Sequence, residues 1–133
     1  MTDYKANSND RLEKLLAEYK KNNSIEKLTE MAEELRVSNV HLPCRTDDQG
    51  RVAAMILKMK DGKCFIPVYS SRWHLNGKMK PGTKVAVMPY MEANAIAAKE
   101  AVNSRLDGII INPQDTNIVL SINFINKMQF IAM

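Results

Sequence analysis

Apolar residues recur at helical spacing through the first part of the chain. Leu12, Leu15, Leu16 and Tyr19 fall at i, i+3, i+4 and i+7, one face of a helix over 10–20, with Asp10 and Glu13 reading as a capping box. Lys20-Lys21-Asn22 breaks the pattern, and Asn23 with Glu26 opens a second helix whose Ile25, Leu28, Met31, Ala32 and Leu35 share a side. The short break predicts an antiparallel helical hairpin.

After Arg36 the period changes. Val37, Val40 and Leu42 stand among polar residues ahead of Pro43, which predicts a short strand, and Thr46-Asp47-Asp48-Gln49-Gly50 has the composition of a loop. Met55, Leu57 and Met59 then alternate with Ile56, Lys58 and Lys60 up to Asp61-Gly62, a pair that tolerates positive φ in a two-residue hairpin turn. Counting outward from that turn pairs Met59 with Cys64, Leu57 with Ile66 and Met55 with Val68 as one apolar face. Pro67 lands opposite Ile56 with no N–H to give, so regular pairing is expected to stop or bulge there.

Residues 70–82 read as a connection with one helical turn, closed by a type II turn at Pro81-Gly82. Residues 84–88 follow as a strand. After Pro89 a helix over 91–105 carries Ala95, Ala98, Ala101 and Val102 on the face expected to lie against a sheet. In Asp107-Gly108-Ile109-Ile110-Ile111-Asn112-Pro113, three β-branched residues between a turn pair and a proline read as a central strand covered on both faces, with Pro113 holding Asn112 extended. Strand, helix and strand in this order predict a βαβ unit with parallel pairing. Gln114-Asp115 turns the chain, residues 117–120 form a last strand, and Ser121 caps a terminal helix built on Ile122, Ile125 and Met128. The expectation is one α+β domain over 10–133 behind a disordered stretch at 1–9. It places the helical hairpin on a mixed sheet of about five strands, with the βαβ unit and a C-terminal helix.

Composition narrows the setting. With 45% hydrophobic and 26% charged residues over 133 positions, the chain has the balance of one globular domain. No stretch approaches the roughly 18–20 apolar residues of a bilayer span, and residues 1–24 hold no hydrophobic signal segment, so the expected address is the cytoplasm. Two cysteines are too few for a disulfide framework, and nine methionines suggest a core filled by flexible side chains. Charge is unevenly spread: residues 37–84 hold nine basic side chains against three acidic ones. Such an excess attracts nucleic acid or an acidic protein surface, although lysines at hairpin ends more often solvate strand edges. Glu30, Glu33 and Glu34, near the end of the second helix where its dipole disfavours them, offer a docking surface for a basic partner or a solvated face.

Candidate chemistry is sparse. No glycine-rich phosphate loop, nucleophile elbow or His-Glu-x-x-His occurs. His41, Cys44, Cys64 and His74 have a composition that tetrahedral zinc accepts, but they form no compact knuckle, and the hairpin register aims Cys64 at the core beside Met59. No metal or other cofactor is expected. Cys44 has only the adjacent Arg45 to mark it as reactive. Asp107 and Asp115 are accounted for by turns. Asn112 stands at the carboxyl end of the presumed parallel strand, where open α/β sheets bind ligands, and with Tyr90 and Asp115 it defines a candidate small-ligand cleft. The competing reading is an asparagine that starts a turn with its own side chain. Trp73, the sole tryptophan, lies in a basic loop with Arg72, His74, Lys78 and Lys80. Arg72, Trp73 and His74 are therefore either a partner-binding anchor or, through Trp73, a plug at the open end of the hairpin. Without interleaved aromatics, nucleic-acid binding is not expected.

Phe65-Ile66-Pro67-Val68-Tyr69 just after a turn, the strand and helix over 84–106, and Gly108-Ile109-Ile110-Ile111-Asn112-Pro113 followed by a short strand and a helix carry a resemblance. Over residues 10–130 the chain resembles the N-terminal domain of the SseB-like family, a bacterial family named for enhanced serine sensitivity. The resemblance implies a cytoplasmic α+β domain with a mixed sheet and no established enzymatic activity, and it supplies no catalytic residues. Longer members carry a second, C-terminal domain, whose functions are not implied here. A link of the family name to type III secretion is set aside. The resulting expectation is a non-enzymatic accessory or regulatory domain that binds another protein, with toxin immunity or an adaptor role as specific forms. No membrane partner is expected, and exposed sheet edges leave room for a homodimer. The alternative is a small-molecule sensor or weak enzyme using the cleft near Asn112.

Overall fold

Leu12 and Leu16 on one helix and Met31 and Leu35 on the next enter a single buried cluster, which sets the two N-terminal helices side by side. The computed structural model describes residues 2–46, 49–75, 79–80 and 82–132. The helices are α1 (Thr2–Lys21) and α2 (Ile25–Leu35). Helix α1 thus begins ahead of the expected Asp10 cap. Ser24, not Asn23, caps α2, its hydroxyl accepting from the Lys27 N–H at 3.3 Å, and Ile25 is exposed rather than on the buried side.

The α+β class is as expected, and the strands divide between two sheets. One holds β2 (Val52–Ala54), β1 (Asn39–Thr46) and β5 (Lys84–Pro89) in that spatial order, all antiparallel. The other holds β3 (Leu57–Lys58), β4 (Cys64–Val68), β6 (Gly108–Ile111) and β7 (Ile118–Ser121), with β4 and β6 parallel. Helix α3 (Tyr90–Asn103) leads from β5 towards β6, and α4 (Ile122–Ala132) closes the described chain. The Ser121 hydroxyl accepts from the Phe124 N–H at 3.2 Å, the expected cap on α4.

Strand β6 is central, as its composition predicts: Ile109, Ile110 and Ile111 are all buried. Ile66 and Val68, Ile109 and Ile111, and Ile118 and Leu120 line one face of the four-stranded sheet, where Leu12, Leu16, Ala93, Ala97, Ile125 and Met128 cover them. The small-residue face of α3 is therefore built on Ala93 and Ala97, while Ala95 and Val102, assigned to it from sequence, are exposed. Between α3 and α4 the Tyr90 hydroxyl donates to Asn94 Oδ1 (2.8 Å), and Asn94 Nδ2 donates to the Ile125 carbonyl (3.0 Å) and Gln129 Oε1 (2.9 Å).

Four sequence expectations are corrected. First, β1 is longer than residues 37–42 and runs through Pro43. Second, the hairpin turn has three residues, not two. Met59 N–H donates to the Lys63 carbonyl (2.8 Å), Gly62 N–H donates to the Met59 carbonyl (2.9 Å), and Gly62 takes φ 89°. The register slips by one, pairing Leu57 with Phe65 and Lys58 with Cys64, and Ile56 rather than Leu57 packs on the main core. Third, β5 does not pair with β6; the parallel partner of β6 is β4, while β5 joins β1. Fourth, Asn112 is not extended but left-handed, at φ 52°.

Pairing with β3 does stop before Pro67. Tyr69 exchanges backbone hydrogen bonds with His41 (2.8 and 2.9 Å), and on the other edge Asn112 N–H reaches the Val68 carbonyl (2.9 Å). Alternation therefore turns Pro67 to the same edge as Tyr69, into the gap between β3 and β1, where its missing N–H deprives no neighbour. Of the expected type II turn and loops, Pro81, Asp47, Asp48 and Lys78 lie outside the described residues. Thr83 N–H does donate to the Lys80 carbonyl (3.1 Å), and Gly82 has φ 89°.

Two predictions follow from the core. A methyl group on Gly108 (φ 155°) would run into the Leu120 carbonyl of β7, so Gly108→Ala is expected to lower stability by about 2–3 kcal/mol in urea denaturation. Burial disfavours the charged phenolate and raises the pKa of Tyr69 and Tyr90 above the ordinary 10.0. The unfolded chain then loses these protons first, so folding stability is full below that value and falls as pH rises through it. Chemical denaturation at stepped alkaline pH should show this fall, and Tyr90→Phe should make it shallower.

Candidate functional site

The carboxyl ends of the parallel strands β4 and β6 lie side by side, and the residues that leave them are polar. Ser70 follows β4 and Asn112 follows β6, and both are fully buried. Ser70 N–H donates to Asn112 Oδ1 (3.0 Å), and Asn112 Nδ2 donates back to Ser70 Oγ (2.8 Å). The left-handed Asn112 turns its carbonyl to receive the N–H groups of Asp115 (3.0 Å) and Asn117 (2.9 Å), which folds the 112–117 loop onto itself. Asn112 does start a turn, but it does so with its backbone carbonyl, while its side chain is engaged across the sheet by Ser70.

The network continues into a histidine held between carboxylates. Ser70 Oγ donates to Glu13 Oε2 at 2.6 Å. His74, on the 3-10 turn Arg72–Leu75, places Nε2 at 3.0 and 3.2 Å from the Glu13 oxygens and Nδ1 at 2.8 Å from Asp115 Oδ2. One imidazole, 2% exposed, thus joins α1, the segment after β4 and the β6–β7 loop. Satisfying buried polar groups within one network rigidifies it. Trp73 stands outside this cluster with its ring stacked on that of His74, centroids 3.7 Å apart and planes 31° from parallel.

The Ser70 hydroxyl donates to Glu13, not to His74, so the hydroxyl–imidazole bond that activates a nucleophile is not made. Both ring nitrogens of His74 face carboxylates. Among the described residues, no three His, Cys, Asp or Glu side chains come together as a metal site. Of the zinc-like set, His74 is engaged as described, the Cys44 thiol donates to the Leu42 carbonyl at 3.3 Å, and Cys64 lies opposite Lys58 rather than beside Met59.

Asn112 and Asp115, two of the three residues of the expected ligand cleft, share the network, while Tyr90 is fully buried with its hydroxyl on Asn94 between the helices. A groove of about 380 Å³ lies elsewhere, lined by Tyr19, Lys20, Asn23, Asn117, Ile118 and Val119. Of the expected partner-binding residues, His74 is buried, whereas Arg72 is exposed and Trp73 is 61% exposed and so plugs no core. Glu34 and Glu30 of α2 pair with Arg11 (3.2 Å) and Lys27 (3.7 Å), so much of that acidic face is met by the chain's own cations.

Glu13 and Ser70 escaped the sequence reading. Local pattern places Glu13 in a helix cap three residues from Asp10 and Ser70 in a connection. The available signal was weak: Glu13 borders the apolar stripe of α1 one residue after Leu12, where a carboxylate needs a buried partner. Residues 12–127 match the family model of the SseB protein N-terminal domain. The chain belongs to this family. No curated protein and no solved structure matches it. In this SseB-family domain the matched span holds every member of the network, from Glu13 to Asp115.

Removing one partner strands the other, so Glu13→Ala and His74→Ala are each expected to cost about 2–3 kcal/mol. The double variant should cost less than their sum by about 1–2 kcal/mol, a coupling read from a double-mutant cycle in urea.

Proposed function

We propose that this SseB-family chain is a non-enzymatic binding domain of the bacterial cytoplasm, an accessory or regulatory protein whose partner is another protein met by Trp73 and Arg72. Toxin immunity and an adaptor role are the specific forms this reading takes. The single observation that carries it is the exposed indole of Trp73 seated on an imidazole that two carboxylates hold in place. Tryptophan and arginine are the side chains that most often dominate protein interfaces, and a ring already fixed before binding loses little entropy on contact. The alternative, a small-molecule sensor or weak enzyme at Asn112, is less well supported. Ser70 and Asn112 are fully buried and their polar atoms are spent on one another and on Glu13.

The test is affinity capture from the native cytosol with the wild-type chain and an Arg72→Ala, Trp73→Ala double variant. Both side chains are exposed, so folding stability should change by less than about 0.5 kcal/mol. Loss of an interface anchor of this kind costs about 2 kcal/mol or more, roughly thirtyfold in affinity, so a stoichiometric protein partner should be lost from the variant. A partner retained undiminished would remove this surface.

A further inference from the structure

The open edge of β5 faces solvent with a regularity that selects its own complement. Two residues of β1 show which way β5 points. His41 exchanges both its backbone hydrogen bonds with Tyr69, and the Pro43 carbonyl accepts from Met55 N–H (3.0 Å), so both turn their backbone groups away from β5. Val87 is opposite His41 and Val85 opposite Pro43. In an antiparallel ladder such pairs are the ones that exchange no hydrogen bond, so the N–H and C=O of Val85 and Val87 point outward along the free edge. No partner for these groups occurs among the described residues. The same two valines expose their side chains, 36% and 55%.

Edges of this kind are normally blunted by charge, proline or a bulge. Here Lys84 stands at one end and Pro89 at the other, and Val85-Ala86-Val87-Met88 between them carries no charge. We infer that β5 is a homodimerisation edge, pairing antiparallel with β5 of a second copy of this chain about a two-fold axis through Ala86. The proposal is independent of the Trp73 surface.

The register follows from the backbone. Setting Val85 against the second copy's Val87 brings outward groups to outward groups at both positions, and each pair exchanges two N–H···O bonds. A shift of one residue sets outward groups against inward ones. A shift of two sets Val85 against Pro89, which has no N–H, or carries Val87 past the start of the strand to Thr83. In the selected register the four valines form one apolar patch. Charge agrees with the antiparallel sense. The strand has its cation, Lys84, at one end, and the exposed Glu92 opens α3 beyond the other, so a two-fold separates the two lysines and brings each to the partner's acidic end. An isologous contact of this type closes as a dimer and leaves no edge for a third copy.

The test is sedimentation equilibrium from low micromolar to submillimolar protein, with Val87→Lys as the disrupting variant and Val119→Lys, on the exposed face of β7, as the control. The wild type and control should reach twice the 15.1 kDa chain mass, and Val87→Lys should stay at the single mass with an unchanged circular dichroism spectrum. Ala86→Cys supplies a second readout that does not depend on Val87→Lys folding. The two-fold brings the new thiols together, and mild oxidation should yield a covalent dimer where the wild type gives none. A wild-type chain monomeric at the highest concentration, or a dimer that survives Val87→Lys while Ala86→Cys fails to cross-link, would overturn the inference.

Discussion

Ile109, Ile110 and Ile111 are without water on both faces of β6 at once, and that burial demands a strand on each edge and a cover on each side. The edges are supplied by β4 and β7. One side is covered by α1, α3 and α4 through a cluster that also takes in α2. Gly108 shows how tightly this strand is seated, because the Leu120 carbonyl of β7 occupies the space of a side chain. With β4 already beside β6, β5 has no place in that sheet, and it binds β1 instead. The His41–Tyr69 bridge then fastens the two sheets, with Pro67 turned into the gap.

Parallel strands end together, and the polar residues at those ends have to find partners away from water. Buried Ser70 and Asn112 find them in each other and in Glu13 of α1, and buried His74 finds them in Glu13 and the more exposed Asp115. The group holds two carboxylates, a histidine and a serine, with the serine bonded to a carboxylate rather than to the histidine. A serine bonded to a carboxylate and a histidine bonded to two carboxylates tie three chain segments together. That fixes the platform on which Trp73 rests.

What remains outside the closed core are two surfaces of different kinds. Trp73 presents an aromatic side chain on a rigid base, suited to specific recognition by a shaped pocket. Strand β5 presents backbone, which recognises another strand almost regardless of sequence and is therefore best matched by itself.

Periodicity made the helices, the central strand, the last strand with its Ser121 cap, and the interruption at Pro67 legible from the residues alone. These depend on local patterning and on groups within a few residues. Of the candidate site, Trp73, His74, Asn112 and Asp115 could be named from sequence, but their relations could not. Glu13 reaches His74 across sixty-one positions and Ser70 reaches Asn112 across forty-two, and nothing in the local pattern encodes such pairings. The three-residue turn at Lys60-Asp61-Gly62 was equally open to a two-residue reading, and only the packing of Ile56 on the core chose between registers one residue apart. The sequence by itself therefore determined the helices, most of the strands and the α+β class, while β2 went unmarked and the strands number seven rather than about five. The tertiary structure decided which strands are neighbours, whether Trp73 is inside or outside, and that five scattered polar residues form one network, because each of these depends on the long-range burial of β6.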